Sequence, residues 1–201
     1  MSLDEEVLVI PAAHFRSVGE FHGFRPADAD SIRRLMNPQV MTFLPRQQAE
    51  TNPEYKQLIP YIVLASQEEI FHYNRGIQGT ETRLQSLRSI GIGGHITKQD
   101  QNETGDLYRM GMLRELNEEV EILTPYQEEF LGFIYDGRTE VGQVHIGVVH
   151  LLELQERLAF AKEEGITESG FAPLQELLKY RDQFETWSQF ALDEIAKRYR
   201  I

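Results

Sequence analysis

The stretch Arg114-Glu115-Leu116-Asn117-Glu118-Glu119 constrains this chain more than any other. If it is helical, Glu115, Glu118 and Glu119 stand at i, i+3 and i+4, so three carboxylates crowd one face. Like charges at that spacing weaken a helix unless something positive gathers among them. A hard divalent cation such as Mg2+ does this through carboxylate and water oxygens. The expected helix runs from Asp106 to Val120. On a helical wheel Leu113, Leu116 and Val120 fall on one side, and the three glutamates fall roughly opposite, with Gly111 among them. Glycine is poor helix material, so Gly111 reads as room left for a metal or a phosphate. Arg114 lies beside the acidic face, placed to neutralise a carboxylate or anchor a neighbouring loop.

An acidic helix face is ordinarily no more than solvated surface. Two features weigh against that here. Gly91, Gly93 and Gly94 end a strand shortly upstream, where backbone can approach a ligand closely. The helix also lacks the interspersed lysines that would balance an exposed acidic face.

The rest of the chain bounds the chemistry. Its 201 residues are enough to bury a sizeable core. No cysteine is present, which excludes disulfides, thiolate metal sites and thiol nucleophiles and fits a cytoplasmic protein. The net charge of −12 argues against a nucleic-acid surface. It also means that an anionic substrate needs local cations to approach the acidic helix. Neither a signal peptide nor a membrane span is expected, because the apolar run from Ile59 to Ala65 is too short to cross a bilayer.

Strands are expected at Glu6–Ile10, at Leu58–Ala65 with Glu69–Asn74 as a hairpin, and in Leu87–Ile96 running into the glycines. Two more are expected at Glu129–Tyr135 and Gln143–Leu152. Helices are expected at Asp28–Met36, Leu151–Glu164, Pro173–Tyr180 and Arg181–Tyr199. Strands and helices mix without a steady βαβ rhythm, which favours an α+β chain or a mixed-sheet sandwich. Residues 1 to 55 read as an N-terminal extension packed on a core domain of residues 56–201.

The run Gly93-Gly94-His95-Ile96, then Gly105-Asp106, then Arg114 through Ile122 resembles the Nudix box. That pattern is Gly, five residues, Glu, seven residues, then Arg-Glu-apolar-x-Glu-Glu-x-Gly-apolar. Asp106, eight before Arg114, takes the Glu position, and Leu116 and Ile122 take the apolar ones. Three departures stand out: Asp for Glu, a loop about six residues longer between Gly94 and Asp106, and Glu121 in place of the box glycine.

The resemblance covers roughly residues 57 to 155 and implies a Nudix-type α/β/α sandwich with a mixed sheet. It implies a pyrophosphohydrolase in which Glu115, Glu118 and Glu119 coordinate Mg2+ or Mn2+ and the Gly94 carbonyl adds a ligand. Arg114 would pair with a carboxylate, and Asp106 and Gly93 would support the site. The substrate implied is a small-molecule diphosphate, such as a nucleoside diphosphate derivative, and a homodimer is a family-level expectation. The general base stays open among Glu115, Glu128, Glu129 and Glu140. The alternative is a Nudix-fold binding or regulatory module that holds a ligand without cleaving it.

Other candidates carry less. Gly91-Ile92-Gly93-Gly94 is neither a dinucleotide fingerprint nor a P-loop. His145 and His150 fall on opposite faces of one expected strand, which argues against a shared metal. His95 could touch substrate, but a loop hydrogen bond is its expected role. Phe184, Trp187 and Phe190 read as core, and Arg46, Glu50 and Lys56 as solvated surface.

Overall fold

A computed structural model describes residues 5–75, 87–101, 105–163 and 166–201. The chain is α+β with a mixed β-sheet. It divides into two compact units, and four elements run from one into the other along the chain. These are strands β4 (Tyr55–Ser66), β9 (Tyr126–Tyr135) and β10 (His145–Leu154), and helix α4 (Leu107–Glu119).

The first unit comprises Met1–Pro60, Gly93–Glu115 and Leu131–Val148. Its organising strand is β1 (Glu6–Pro11), whose Val7, Leu8, Val9 and Ile10 are all buried. A strand apolar on both faces needs partners at both edges and cover on both sides. Strand β3 (Thr42–Pro45) pairs antiparallel with it, Val9 opposite Thr42. The start of β4 also pairs antiparallel, Val9 opposite Gln57, and Leu8 N donates to Ile96 O at 2.8 Å. Val7 and Val9 pack with Ala49 of helix α3 (Arg46–Thr51), alongside Leu44 and Tyr55. Residues that read as an extension therefore share strands and core with the start of β4.

Helix α1 (Ala12–Gly19) buries Ala12, Phe15 and Val18. The Phe15 ring packs against Tyr135 at 4.8 Å and Phe21 at 5.7 Å. Strand β2 (Gly23–Pro26) pairs with the end of β9. Helix α2 (Ala29–Leu35) starts where expected, because Asp28 and Ser31 cap each other's backbone reciprocally. Lys56 contradicts its reading as solvated surface: it is only 5% exposed, and its Nζ donates to Pro53 O. Arg46 is likewise largely covered and pairs with Glu50 at 2.6 Å.

The second unit comprises Tyr61–Ile92, Leu116–Phe130 and Val149–Ile201. The expected hairpin forms between β4 and β5 (Glu69–Arg75), with Ala65 opposite Ile70 across a turn whose Gln67 has φ of 59°. Two short strands, β6 (Arg88–Ser89) and β7 (Gly91–Ile92), pair with β5 and β4. Strand β8 (Val120–Ile122) pairs with β11 (Ala159–Ala161), and β12 (Ile166–Pro173) pairs with β5.

The helix expected at Leu151–Glu164 is not there. Strand β10 continues to Leu154, and β11 follows. The β-branched run Ile146, Val148 and Val149 extends β10 through Leu151 and Leu152, and its nearly continuous burial overrides the helical preference of Leu and Glu. Helices α6 (Leu174–Lys179) and α7 (Thr186–Tyr199) do form near their expected places, and a short helix α5 (Glu140–Gln143) precedes β10. Phe184 is buried, and the Trp187 ring meets Tyr61 edge-on at 5.7 Å. Among the described residues, no helix is long and apolar enough to cross a membrane.

Candidate metal and active site

Helix α4 buries Tyr108, Gly111, Met112, Glu115 and Leu116, a stripe at i, i+3, i+4, i+7 and i+8. Glu115 therefore sits within the buried stripe, 3% exposed, rather than opposite the apolar face. Leu113, placed on the apolar side of the wheel, is only half-buried. Glu118 is exposed and Glu119 half-buried, so the three carboxylates of one helix occupy three different environments.

A buried carboxylate needs a partner, and Glu115 has Arg114, whose Nη1 donates to its Oε1 at 2.9 Å. The same guanidinium grips Asp100 with a two-pronged contact, Nε to Oδ1 at 2.6 Å and Nη2 to Oδ2 at 3.0 Å. Nη2 also donates to His95 O at 2.9 Å. Arginine's planar fork suits this, since one cation binds two carboxylates and a carbonyl in fixed directions. The surrounding anions raise the Arg114 pKa further above its ordinary value, the Asp100 hydrogen bond most of all. Asp100 is itself fixed by Thr97, whose backbone N–H donates to Oδ2 at 2.7 Å. Burial pushes the Asp100 carboxyl up, but Arg114 and Thr97 outweigh it and hold it below its ordinary value.

The glycines make room. A Cβ on Gly94 would lie 2.6 Å from Glu115 Oε2, so only glycine lets the backbone approach that carboxylate. Gly93 has φ of +139°, and a Cβ there would strike Pro60 O at 2.1 Å. Gly111 is different from its expected role. A Cβ on it would lie 2.9 Å from Asp100 Oδ2 and from Ile96, so it makes space for the Ile96–Asp100 loop rather than for a ligand.

Among the described residues, the His95 side chain does not make the loop hydrogen bond expected of it. Its ring meets His145 edge-on at 5.9 Å, and its Nε2 is buried without a partner among the described residues. Burial pushes its pKa down to about 3, with Arg46, His145 and Arg114 adding to the effect, so the ring is neutral at physiological pH. His145 Nδ1 donates to Val141 O. In the second unit, His150 Nδ1 lies 3.0 Å from Glu128, and Glu129 is held by Arg198.

At the far end of α4, Lys162 bonds the Asn117 carbonyl through its Nζ and the Glu119 carbonyl through its backbone N–H. The lysine missing from the helix arrives from the loop after β11 and satisfies carbonyls that a helix end leaves open.

The donor set suits a hard cation: carboxylate oxygens beside a backbone approach that a side chain would block. Among the described residues, however, no three His, Cys, Asp or Glu side chains already converge as a metal cage. The fit lies in the donor chemistry and the Gly94 cradle.

The structure of Tm1382, a candidate Nudix hydrolase, superposes on this chain with a TM-score of 0.80 at 30% identity, covering 96% of this chain and 99% of that one. The chain belongs to the Nudix hydrolase family. Protein YmaB of Bacillus subtilis is 34% identical over 154 residues, 74% of this chain and 75% of its own. The Nudix domain of Shewanella oneidensis NrtR, solved with ADP-ribose, shares the fold at 16% identity, with a TM-score of 0.55 over 71% of this chain and 88% of that one. No family model matches the chain.

Within this Nudix hydrolase the box is reassigned at one position. Asp100 follows Gly94 by six, the interval the Nudix pattern sets for its first acid, and Arg114 grips Asp100. Asp106, assigned to that position from the sequence, instead accepts Arg109 N at the start of α4. The six extra residues therefore fall after the acid, between Asp100 and Arg114. The spacing from Gly94 was the available signal; counting back from Arg114 hid it.

Glu121, in place of the box glycine, lies in extended backbone opposite Phe160. Among the described non-glycine residues, positive φ occurs only at Gln67, Glu168 and Arg200. Helix α4 leads directly into β8 here, and no left-handed turn demands glycine.

Proposed function

We propose that this protein hydrolyses a diphosphate linkage in a nucleoside diphosphate derivative or similar organic pyrophosphate, with Mg2+ or Mn2+ held by Glu115, Glu118, Glu119 and the Gly94 carbonyl. The observation that carries this reading is the close approach of Gly94 to a buried Glu115 that Arg114 orients. When bound, the cation would screen the diphosphate charge and lower the pKa of the attacking water.

The chain's own residues supply positioning. Asp100 fixes Arg114, and Arg114 fixes both the Glu115 carboxylate and the His95 carbonyl at the end of the glycine loop. Gly94 keeps that carboxylate open to the backbone beside it. Among the glutamates weighed as base, Glu129 is engaged by Arg198, whereas Glu128 is oriented by the imidazole of His150. Glu140 opens the first turn of α5, behind the Thr139 cap.

The test is a panel of nucleoside diphosphate derivatives incubated with Mg2+ or Mn2+, with products separated by chromatography. Cleavage between the two phosphorus atoms that stops on chelation is the expected result. Absence of turnover on every member would count against the reading.

A second reading is a ligand-binding module of the same fold without hydrolysis. It is motivated by the departures from the box, Glu121 in place of the glycine and the longer loop before Arg114. Calorimetry distinguishes the two: nucleotide binding unaffected by chelation, with no product formed, is the outcome for a binding module.

A further inference from the structure

A second polar site lies on strands β5, β6 and β12 of the second unit. In the antiparallel register Asn74 stands opposite Arg88 on β6 and opposite Thr167 on β12. His72, two residues before Asn74 on β5, shares its face. The register of β12 then slips between Thr167 and Gly170, and Glu168 in that bulge has φ of 48°, left-handed backbone that a glutamate adopts only at a cost. His72, Asn74, Leu87, Arg88, Glu168 and Gln183 line an open cavity of about 470 Å3.

The charge arrangement in this cavity is unusual for so acidic a chain. Arg88 Nη2 lies 2.9 Å and 3.1 Å from the two ring nitrogens of His72. Its guanidinium stacks on the buried Phe184 ring at 4.7 Å. Among the described residues no carboxylate lies within ion-pair distance of it. Glu168 and Glu176 act on it only through longer-range attraction. Burial, with Arg88 adding to it, pushes His72 down to about 4, so this neighbour is neutral and supplies no charge to pair with the arginine. Phe184 and His72 hold the guanidinium in place, which reduces the ordering cost of binding an oxyanion. Across the cavity, Asn74 Nδ2 donates to Glu168 Oε2 at 2.5 Å, fixing a carboxylate that accepts hydrogen bonds from hydroxyl groups. A bulge, a left-handed glutamate and a stacked arginine facing one cavity are devices that a structural sheet edge does not need.

We propose that this cavity binds a sugar phosphate or the equivalent part of a nucleotide, with the phosphate on Arg88 and Gln183 and the sugar hydroxyls on Glu168. The phosphate meets the arginine fork, and the hydroxyls meet the acceptor that a bare anion would avoid. Binding here requires no metal, so it stands or falls separately from hydrolysis at α4.

The experiment is a two-dimensional 15N NMR titration of the whole protein in EDTA, with ribose 5-phosphate and inorganic phosphate as separate probes. The expected result is saturable shifts at His72, Arg88 and Gln183, with dissociation constants on the order of 1 mM. Arg88→Gln should weaken both probes by about tenfold or more, and Arg88→Lys should fall between it and the parent. Glu168→Gln should weaken ribose 5-phosphate by about threefold or more and leave or improve inorganic phosphate. Glu118→Gln should change neither. The proposal is overturned by shifts that never saturate, by shifts centred on α4 instead, or by unaltered binding in Arg88→Gln. Should Arg88→Gln not fold, the Arg88→Lys and Glu168→Gln arms decide: parent-like affinity in both overturns the assignment.

Discussion

Replacing Asp100 with alanine should be far more damaging than replacing Asp106, although the sequence alone pointed to Asp106. Asp100 is 8% exposed and accepts three well-formed hydrogen bonds, two from the Arg114 guanidinium and one from Thr97 N. Truncation leaves Thr97 N without its partner and takes from a partly buried arginine its two-pronged carboxylate contact. Charged hydrogen bonds contribute about 1.5–3 kcal/mol each, and breaking a buried pair costs about 3–5 kcal/mol. The Arg114 side chain is 30% exposed, so water recovers part of that loss. The net expectation is about 3 kcal/mol, or a fall in Tm of about 6–12 °C for a chain of this size. Asp106→Ala removes one contact of 3.3 Å at an exposed helix start and should cost under about 1 kcal/mol.

Urea denaturation of both variants at neutral pH measures the difference, and pH adds a second check. The folded-state pKa of Asp100 is depressed, so its contribution is fully present above about pH 4. That contribution fades as pH falls through the depressed folded value. The gap between parent and Asp100→Asn should therefore narrow in acid and stay constant from about pH 5 to 8. Equal destabilisation by the two alanine variants would falsify the assignment of Asp100 as the acid that anchors Arg114.

Two further substitutions test the packing around α4. Gly111→Ala gains about 1 kcal/mol of helix propensity but drives a Cβ to 2.9 Å from Asp100 and Ile96. A net loss of about 1–2 kcal/mol is expected in thermal denaturation, whereas stabilisation would mean that the loop yields freely. Glu121→Gly restores the box residue at a position that is already extended and paired with Phe160. It should lower stability by about 0.5–1 kcal/mol and leave turnover within about twofold; a large gain in turnover would show that Glu121 distorts the helix exit.

Much of this was legible from short-range pattern. Asp28 and Ser31 announced α2, and the polar turn before Glu69 announced the hairpin, because capping and turn chemistry are local. The C-terminal third was misread where burial decides. Leu151 to Leu154 carry helical propensity, yet they continue a strand that is buried along almost its whole length. The carboxylates were visible as a motif, but their environments were not. Glu115 is buried because Gly94 and Arg114 receive it, and no helical wheel contains that contact. Arg46 and Lys56 read as surface for the same reason: what covers them lies in the fold rather than beside them in sequence. Asp100 could have been found by counting forward from Gly94, since an insertion moves one interval of a motif and spares the other.

The most direct test of the central claim is isothermal calorimetry with Mn2+, run beside hydrolysis of the best diphosphate substrate, for the parent and Glu118→Gln. Glu118 is exposed and glutamine keeps its size, so the substitution should leave the fold intact. The account predicts that Mn2+ affinity and hydrolysis fall together by about tenfold or more while the melting temperature holds. Parent-like hydrolysis in Glu118→Gln, or hydrolysis by the parent in excess EDTA, would contradict it.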